Sequence, residues 1–361
     1  MRPDNMGDVL MSQPAMRALK EAIQGRKLTL LTSTAGASIA RFIPEVDEII
    51  PFDVPWVKTG EAAQNDGKQQ LLELASTLED RRFDAAVIFT VYSQNPLPAA
   101  MLCYQAGIKT VLGYCRENPY QLISRWVPDR EPFDYVLHEV ERQLRLVESV
   151  GRATSNTRLC LEFDEKSRKT VSGKIQAMLA AAGIRTDEPW FVLHAGASEE
   201  KRCYPAREYL KACRSLAGQG YKIVLTGSFV EGSLVDEIAK PLGGKAVNFA
   251  GELSLPELIG LIAVAPVLVS NNTGPVHIAA AVGTPVVVLY AMTNPQHTPW
   301  QVASRVLYFE VPPHLQSRNR LLQSFPGPSA PRASVEAIEM AVNELVRTDN
   351  GTKRYGTYSF L

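Results

Sequence analysis

The fold is decided by the stretch Ser270-Asn-Asn-Thr-Gly-Pro-Val-His-Ile-Ala-Ala-Ala-Val-Gly-Thr-Pro-Val-Val-Val-Leu-Tyr290. Apolar runs at 266–270 and 285–290 are typical of parallel strands covered on both faces, so the residues between them predict a short crossover helix. Pro275 fits the first turn of that helix, and Thr273 or Gly274 before it fits the cap. Free amides at this helix start, at the carboxyl end of a parallel sheet, indicate an anion site suited to a nucleotide diphosphate.

The same alternation of apolar runs and amphipathic segments extends through both halves of the chain, which predicts an α/β fold with parallel sheets. Because 361 residues exceed a typical domain of roughly 100–200 residues, we expect two Rossmann-like βα domains facing across a cleft. We predict an N-terminal domain over 1–165, a C-terminal domain over 166–347 with a closing helix at 334–346, and a polar tail at 348–361. Segments 53–67, 119–132 and 309–331 are predicted to be irregular.

The composition argues against several classes of partner. Lysine plus arginine (38) equals aspartate plus glutamate (38), so no net field attracts nucleic acid. The five cysteines lack metal-ligand spacing, which favours a reduced, cytoplasmic setting. No apolar run approaches the roughly 20 residues of a membrane span. The sequence also lacks an Asp-x-Asp motif for a divalent ion, so no metal site is expected.

The first candidate cluster is Asn5-Met6-Gly7-Asp8, which precedes a helix predicted over 12–23. An acid on a glycine turn between a strand and a helix projects into the crevice where open sheets bind ligands. Capping of the helix by Asp8 is an equally good interpretation. The few residues ahead of Asp8 leave room for only a stubby first strand, so we expect either a start assigned downstream of the natural one or a lobe completed differently.

Three further clusters follow predicted strands in the second half. In 194–205, small residues give backbone amides room near an anion, and Lys201 or Arg202 supplies positive charge, although a solvated charged turn is the commoner fate of such a run. In 226–228 a glycine turn precedes Glu231, which could reach a ribose hydroxyl. The opening stretch supplies the fourth cluster, where a structural role for His277 is as good an interpretation as ligand contact.

Taken together, these clusters resemble glycosyltransferase family 9, the bacterial heptosyltransferases. Asn5-Met6-Gly7-Asp8 is similar to its amino-terminal Gly-Asp motif, and 194–205 to its Lys-x-Trp-Pro loop. The run 271–285 is similar to its Asp-Thr/Ser-Gly-x-x-His signature, with Asn272 where the family usually has Asp. Counting back from Pro205 places Arg202 at the family's Lys, and Lys201 takes that place only with a one-residue insertion.

The resemblance implies a GT-B fold, with the acceptor on the first lobe and the nucleotide sugar on the second. It implies inverting, metal-independent transfer of a sugar, heptose in particular, from an ADP-linked donor to a glycan or lipid-linked lipopolysaccharide-core acceptor. Asp8 is the expected general base, with Asn5 and Gly7 on the acceptor side. The expected donor-binding residues are Gly196, Ala197, Ser198, Lys201, Arg202, Ser228, Glu231, Leu253, Asn272, Thr273, Gly274 and His277.

The nucleotide sugar is a co-substrate, and no cofactor is expected. The resemblance implies a cytoplasmic enzyme, with peripheral contact at the inner membrane left open. Two other functions stay open from the sequence. One is a nucleotide-sugar-binding protein without transferase activity, and the other is a non-hydrolysing sugar-nucleotide epimerase, which shares the two-lobed architecture. The phosphate-loop, dinucleotide and nucleophile-elbow motifs are absent from the sequence, which argues against ATP hydrolysis, hydride transfer and serine hydrolysis.

Overall fold

The computed structural model describes residues 1–57, 67–291, 295–312, 314 and 330–349. The chain divides into two compact units, Met1–Thr157 and Arg158–Leu361. The boundary predicted after residue 165 lies within the second unit, at the start of its first helix. Parts of the predicted irregular segments 53–67 and 309–331, and positions 350–361 of the predicted tail, lie outside the described residues.

Unit 1 alternates helices with short parallel strands. In chain order its elements are α1 (Met6–Met11), α2 (Gln13–Glu21), β1 (Thr29–Thr32), α3 (Thr34–Ala40), β2 (Glu48–Pro51), α4 (Gly67–Asp80), β3 (Ala86–Ile88), α5 (Leu97–Gln105), β4 (Val111–Cys115), β5 (Arg125–Pro128) and α6 (Glu139–Glu148). β1 pairs with β2, and β3 pairs with β4, which pairs with β5. The parallel sheets expected from the sequence are therefore present.

The first two residues lie between β1 and β3. The Arg2 amide donates to Leu31 O at 2.9 Å and forms a parallel bridge with Thr32. On the other side, the Phe89 amide donates to Met1 O at 3.0 Å. The stubby first strand expected from the sequence is thus a pair of residues that brings the two short sheets of unit 1 together. An apolar cavity of about 130 Å³, lined by residues of both strands and by Met1 and Met16, lies beside it.

The helix predicted over 12–23 is present as α2, but a further helix, α1, precedes it, so the prediction that Asp8 lies on a turn ahead of the helix is wrong. Asn5 is extended (φ −75°, ψ 170°) and α1 runs from Met6 to Met11. A separate helix, α2, follows directly. The break falls there because Pro14 has no amide to donate to Leu10 O, and its ring crowds that carbonyl.

Unit 2 is a single parallel sheet with crossover helices. Its elements are α7 (Glu165–Ala181), β6 (Trp190–His194), α8 (Ala206–Gly218), β7 (Lys222–Thr226), α9 (Gly232–Ala239), β8 (Ala246–Asn248), α10 (Leu255–Val264), β9 (Leu268–Asn271), α11 (Gly274–Val282), β10 (Val286–Ala291), β11 (Ser304–Phe309) and α12 (Val335–Asp349). The strand order is β11-β10-β9-β6-β7-β8. The order reverses between β6 and β9, and this switch point is where open α/β sheets bind ligands.

Elements with a strong apolar pattern are formed as the sequence predicts, since strands and helices alternate through unit 2 and the apolar run 285–290 forms most of β10. Besides α1, three elements were not predicted. β5 lies in a segment predicted to be irregular, and its four residues are mostly exposed, so they carry no alternating pattern. β11 is similarly half-buried. α7 buries only Val171, Ile175 and Leu179 among seventeen residues, which is too sparse a stripe to recognise. Among the described residues, no helix is both long and apolar enough to cross a bilayer.

The contact between α7 and α10 depends on Gly260. A Cβ atom at Gly260 would lie 2.5 Å from Val171 Cγ1. We expect Gly260→Ala to destabilise the protein by about 1–3 kcal/mol, because the helices must separate to admit the methyl group. Urea denaturation measures the change. Gly173→Ala, in α7 itself, is the control, since no atom lies within 4 Å of its Cβ position. That control should leave stability unchanged or raise it, and an equal loss in both variants would contradict this account of the packing.

Candidate active site

Asn271 fixes the loop that leaves β6 at the switch point. Its fully buried side chain donates from Nδ2 to Ala195 O at 2.6 Å. Its Oδ1 accepts from the Tyr204 amide at 3.0 Å and from Tyr209 Oη at 2.9 Å. One amide side chain at the end of β9 therefore holds both ends of the loop 195–204. The sequence motif contains Asn271 but does not predict its role, because its partners are more than sixty positions away.

The start of α11 lies beside this loop. Thr273 is the N-cap residue, in extended conformation (φ −140°, ψ 180°), and its side chain makes no capping hydrogen bond. Asn272, just before it, is only 8% exposed, and its Oδ1 has no hydrogen-bond partner. A buried acceptor without a partner is rare in proteins and calls for an explanation. Gly274 begins the helix, and His277 follows in its first turn, buried. The predicted anion site thus has the helix start that the sequence indicated.

Three predicted donor residues meet at the ends of β6 and β7. The Glu231 Oε2 atom accepts from the Ser228 amide at 2.7 Å and from Ser228 Oγ at 2.8 Å. Its Oε1 atom lies 1.9 Å from the position that a Cβ atom on Gly196 would occupy. Gly196 is buried, and only a glycine admits the carboxylate at this distance. Burial lowers the pKa of His194, against the opposing charge of Glu231, so the imidazole beside this carboxylate is neutral.

The remaining donor candidates lie on the loops around this point. Ala197 is half-buried and Ser198 exposed in the loop after β6, and Leu253 is half-buried in the loop before α10. Lys201 and Arg202 lie in a short 3₁₀ turn, Glu200–Arg202.

Both of these cations are held by Glu199. Lys201 Nζ is 2.6 Å from Glu199 Oε2, and Arg202 Nη2 is 3.6 Å from Oε1. Burial opposes the ionisation of Glu199, but the hydrogen bond from Lys201 and the charge of Arg202 outweigh it and lower its pKa. The structure therefore places both candidate cations close together, in agreement with either alignment of the motif. Lys201 and Arg202 neutralise the Glu199 carboxylate of the same loop.

In unit 1, Asp8 lies in the first turn of α1, with its side chain 17% exposed. Arg2 Nη2 is 3.2 Å from Asp8 Oδ1. Asn5 is the exposed N-cap residue and makes no side-chain cap, while Gly7 is buried in the helix. Asp8 thus combines partial access to solvent with a fixed cationic neighbour.

A cluster of buried charged side chains, which the sequence did not predict, lies next to Asp8. Arg2 is fully buried and also contacts Asp4 Oδ2 at 3.1 Å and Glu139 Oε1 at 2.8 Å. Glu139, at the start of α6, is fully buried as well. Burial raises its pKa to about 7, although the charges of Arg2 and Arg142 oppose the shift. In the sequence, this cluster is indicated locally only by Arg2 and Asp4, a few positions before Gly7-Asp8.

The chain is similar to known proteins over most of its length. Residues 71–320 match the model of glycosyltransferase family 9 (heptosyltransferase). The chain belongs to this family. It is 26% identical over 304 residues to lipopolysaccharide heptosyltransferase 2 of Salmonella typhimurium, covering 82% of this chain and 83% of that protein.

Solved structures show the same fold. The family 9 glycosyltransferase of Veillonella parvula superposes with a TM-score of 0.74 at 18% identity, covering 96% of this chain and 95% of that one. E. coli ADP-heptose lps heptosyltransferase II gives a TM-score of 0.69 at 21% identity, covering 97% and 98%. The predicted α/β fold of the GT-B type is confirmed, and the chain is a glycosyltransferase.

Family membership does not assign roles to single residues, so the base and donor residues stay predictions. Among the described residues, no three or more histidine, cysteine, aspartate or glutamate side chains form a group able to hold a metal ion. The expectation of a metal-independent reaction also stays a prediction.

The raised pKa of Glu139 predicts how the stability of this family 9 enzyme depends on pH. Folding raises that pKa from 4.5 to about 7, so the folded state holds the proton more tightly than the unfolded state. The resulting stabilisation is complete below about pH 4.5 and is lost as the pH rises through 7. We expect Glu139→Gln to gain stability relative to the natural protein over this range. Urea midpoints measured at pH 5, 6, 7 and 8 test this, and a constant difference would contradict the assignment.

Proposed function

We propose that this family 9 glycosyltransferase transfers heptose from ADP-heptose to a lipopolysaccharide-core acceptor with inversion at the anomeric carbon. One observation carries the proposal: the switch point of unit 2 combines an uncapped helix start, a buried acceptor on Asn272 and two cations on one loop. The names of the relatives support the sugar, the ADP carrier and the acceptor class.

Unit 2 holds the donor in this proposal. The diphosphate lies at the start of α11, where the amides after Thr273 and the helix dipole favour negative charge. Glu231, fixed by Ser228 and packed on Gly196, accepts hydrogen bonds from the ribose hydroxyls. Lys201 and Arg202 exchange Glu199 for phosphate oxygens when the donor binds. These contacts stabilise the leaving diphosphate most when its charge has fully developed.

Asp8 is the general base in this proposal. Its carboxylate takes the proton of the acceptor hydroxyl while that oxygen forms a bond to the anomeric carbon. The bond from that carbon to the diphosphate oxygen breaks on the opposite face, and ADP leaves with the electron pair. Asn5 and Gly7 lie on the acceptor side of this reaction. The nucleotide sugar is a co-substrate, and the proposal includes no cofactor or metal ion.

Asn272 contacts a sugar hydroxyl. Its Oδ1 atom is an acceptor without a partner, and its Nδ2 group is a donor, so one amide can both accept from a hydroxyl and donate to one. An uncharged amide does not act as an acid or base, which leaves proton transfer to Asp8. His277, buried in the first turn of α11, is part of the donor site in this proposal.

We place the enzyme in the cytoplasm, with peripheral contact at the inner membrane where a lipid-linked acceptor would be met. Three exposed aromatic side chains of unit 1 support such a contact, because aromatic rings favour the membrane–water interface. They are Tyr120 (84% exposed), Phe133 (74%) and Trp126 (40%). Nucleic acid is not a proposed partner. Family membership favours transfer over the epimerase and binding-protein alternatives, and product analysis separates them, since an epimerase needs no acceptor.

Asp8→Asn tests the base. We expect kcat to fall by about 10²–10⁴-fold, the usual contribution of a general base, while ADP-heptose affinity is unchanged. A coupled assay for ADP release with a lipopolysaccharide-core acceptor measures kcat, and calorimetry measures donor affinity. Glu45→Gln serves as control, because Glu45 pairs with Arg17 on α2 rather than with Asp8. Near-natural kcat in Asp8→Asn would remove Asp8 from this role.

Gly196→Ala tests the donor site. Its Cβ atom would overlap Glu231 Oε1, so the carboxylate must move away from its place beside Ser228. We expect ADP to raise the melting temperature of the natural protein more than GDP or UDP, and to raise that of Gly196→Ala much less. The control is Gly232→Ala, where no atom lies within 4 Å of the added Cβ. Equal stabilisation of both variants by ADP would place the ribose elsewhere.

A further inference from the structure

One nitrogen atom of Arg2 connects two carboxylates of unit 1. Arg2 Nη2 is 3.2 Å from Asp8 Oδ1 and 2.8 Å from Glu139 Oε1. The guanidinium is fully buried, so water does not screen it, and Coulomb interactions are stronger than at the surface. When Glu139 is ionised, its carboxylate therefore competes directly with Asp8 for the same cation.

The buried groups around this nitrogen carry an excess of acid. Arg2 faces Asp4, Asp8 and Glu139, and Arg142 faces Asp129 at 2.9 Å and Glu131 at 2.6 Å. Two guanidinium groups thus serve five carboxyl groups. Because buried negative charge in excess of the positive charge is energetically costly, one of these carboxyl groups is expected to hold a proton.

Two further basic groups lie near the cluster. The amino group of Met1, next to Arg2, donates to Val87 O at 2.6 Å, and burial lowers its pKa to about 6, so it is mostly uncharged at pH 7. Arg116 Nη2 donates to the backbone oxygen of Glu131 at 3.0 Å. His138 caps α6 through its Nδ1 atom, next to Glu139. α3, which packs against α1, has no charged residue, and Arg17 of α2 is paired with Glu45 at 2.6 Å. Gln94 donates to Asp4 Oδ1 at 2.6 Å and is neutral. Glu139 is the most buried of the carboxyl groups, accepts from the neutral Gln143, and is where the proton is held.

We propose that Glu139 is a positioning residue that sets the basicity of Asp8 through the shared Nη2 atom of Arg2. The inference rests on the proposed role of Asp8 as general base. When Glu139 holds its proton, Arg2 is available to Asp8, and the Asp8 carboxylate is a weak base. When Glu139 loses the proton, Arg2 is shared, and Asp8 becomes a stronger base. The two carboxyl groups then titrate as a coupled pair.

The coupling has a kinetic signature. Ionisation of Glu139 near pH 7 should raise kcat/KM of the natural enzyme, because a more basic Asp8 accepts the acceptor proton more readily. In Glu139→Gln the side chain is neutral at every pH, so this rise should disappear. At pH 8 we expect a loss of about two- to tenfold, because one pKa unit on Asp8 is tenfold in proton affinity. Donor affinity, measured by calorimetry with ADP, should not change.

The experiment compares pH profiles of kcat/KM from pH 5 to 9 for the natural protein, Glu139→Gln, Asp8→Asn and the double variant. Glu45→Gln is the matched control, since Glu45 is a buried carboxylate paired with an arginine of another cluster. It should retain the rise near pH 7 even if its stability falls. If Glu139 acts through Asp8, adding Glu139→Gln to Asp8→Asn should cause no further loss.

Two results would overturn the inference: a rise near pH 7 that persists in Glu139→Gln, or losses that multiply in the double variant. Arg2→Lys provides a second measurement, because lysine keeps the charge but cannot hold both carboxylates with a planar guanidinium. Arg2→Lys should shift the pH at which kcat/KM rises, whereas Glu45→Gln should not. A rise at an unchanged pH in Arg2→Lys would contradict the role of the shared Nη2 atom. Full activity in Asp8→Asn would instead refute the proposed base itself, so the two failures are distinguishable.

Discussion

The amide of Asn271 is the interaction on which the donor site depends. In a parallel sheet, the carboxyl ends of neighbouring strands lie at one edge, and at the switch point between β6 and β9 the crossover helices diverge to opposite faces. This opens a crevice at the end of β6, where the loop 195–204 begins. Asn271 holds this loop by hydrogen bonding to Ala195 O and to the Tyr204 amide. The loop that carries Lys201 and Arg202 is therefore fixed at both ends.

The small residues of the donor site follow from the same constraint. Gly196 comes directly after the anchored Ala195, so its backbone position is set, and Glu231 packs where a side chain would otherwise project. Ser228 holds the Glu231 carboxylate through the capping box of the 3₁₀ turn Phe229–Glu231. The site is thus built from backbone geometry and short contacts near strand ends, which is why strand order is the main determinant of its position.

Unit 1 relies on a different kind of interaction. Its first two residues bridge β1 and β3, and the side chain of Arg2 enters a cluster of buried carboxylates instead of an apolar core. Such a cluster is a poor source of stability, because desolvation opposes the gain from pairing. Its value lies in fixing Asp8 relative to α6 and in coupling its charge to Glu139. Retaining costly buried charges beside a candidate base is consistent with a functional role.

The sequence by itself determined the α/β fold, the family and the residue types of both sites, because strand and helix periodicities and glycine turns are local properties. It also indicated the helix start at Thr273 and the short first strand. It did not reveal β5, β11 or α7, whose apolar pattern is weak. Only the tertiary structure decided that Asp8 lies within a helix, that Glu199 holds both cations, and that Arg2 joins Asp8 to Glu139. Those contacts connect residues up to about 137 positions apart, and no local pattern encodes which buried charges meet.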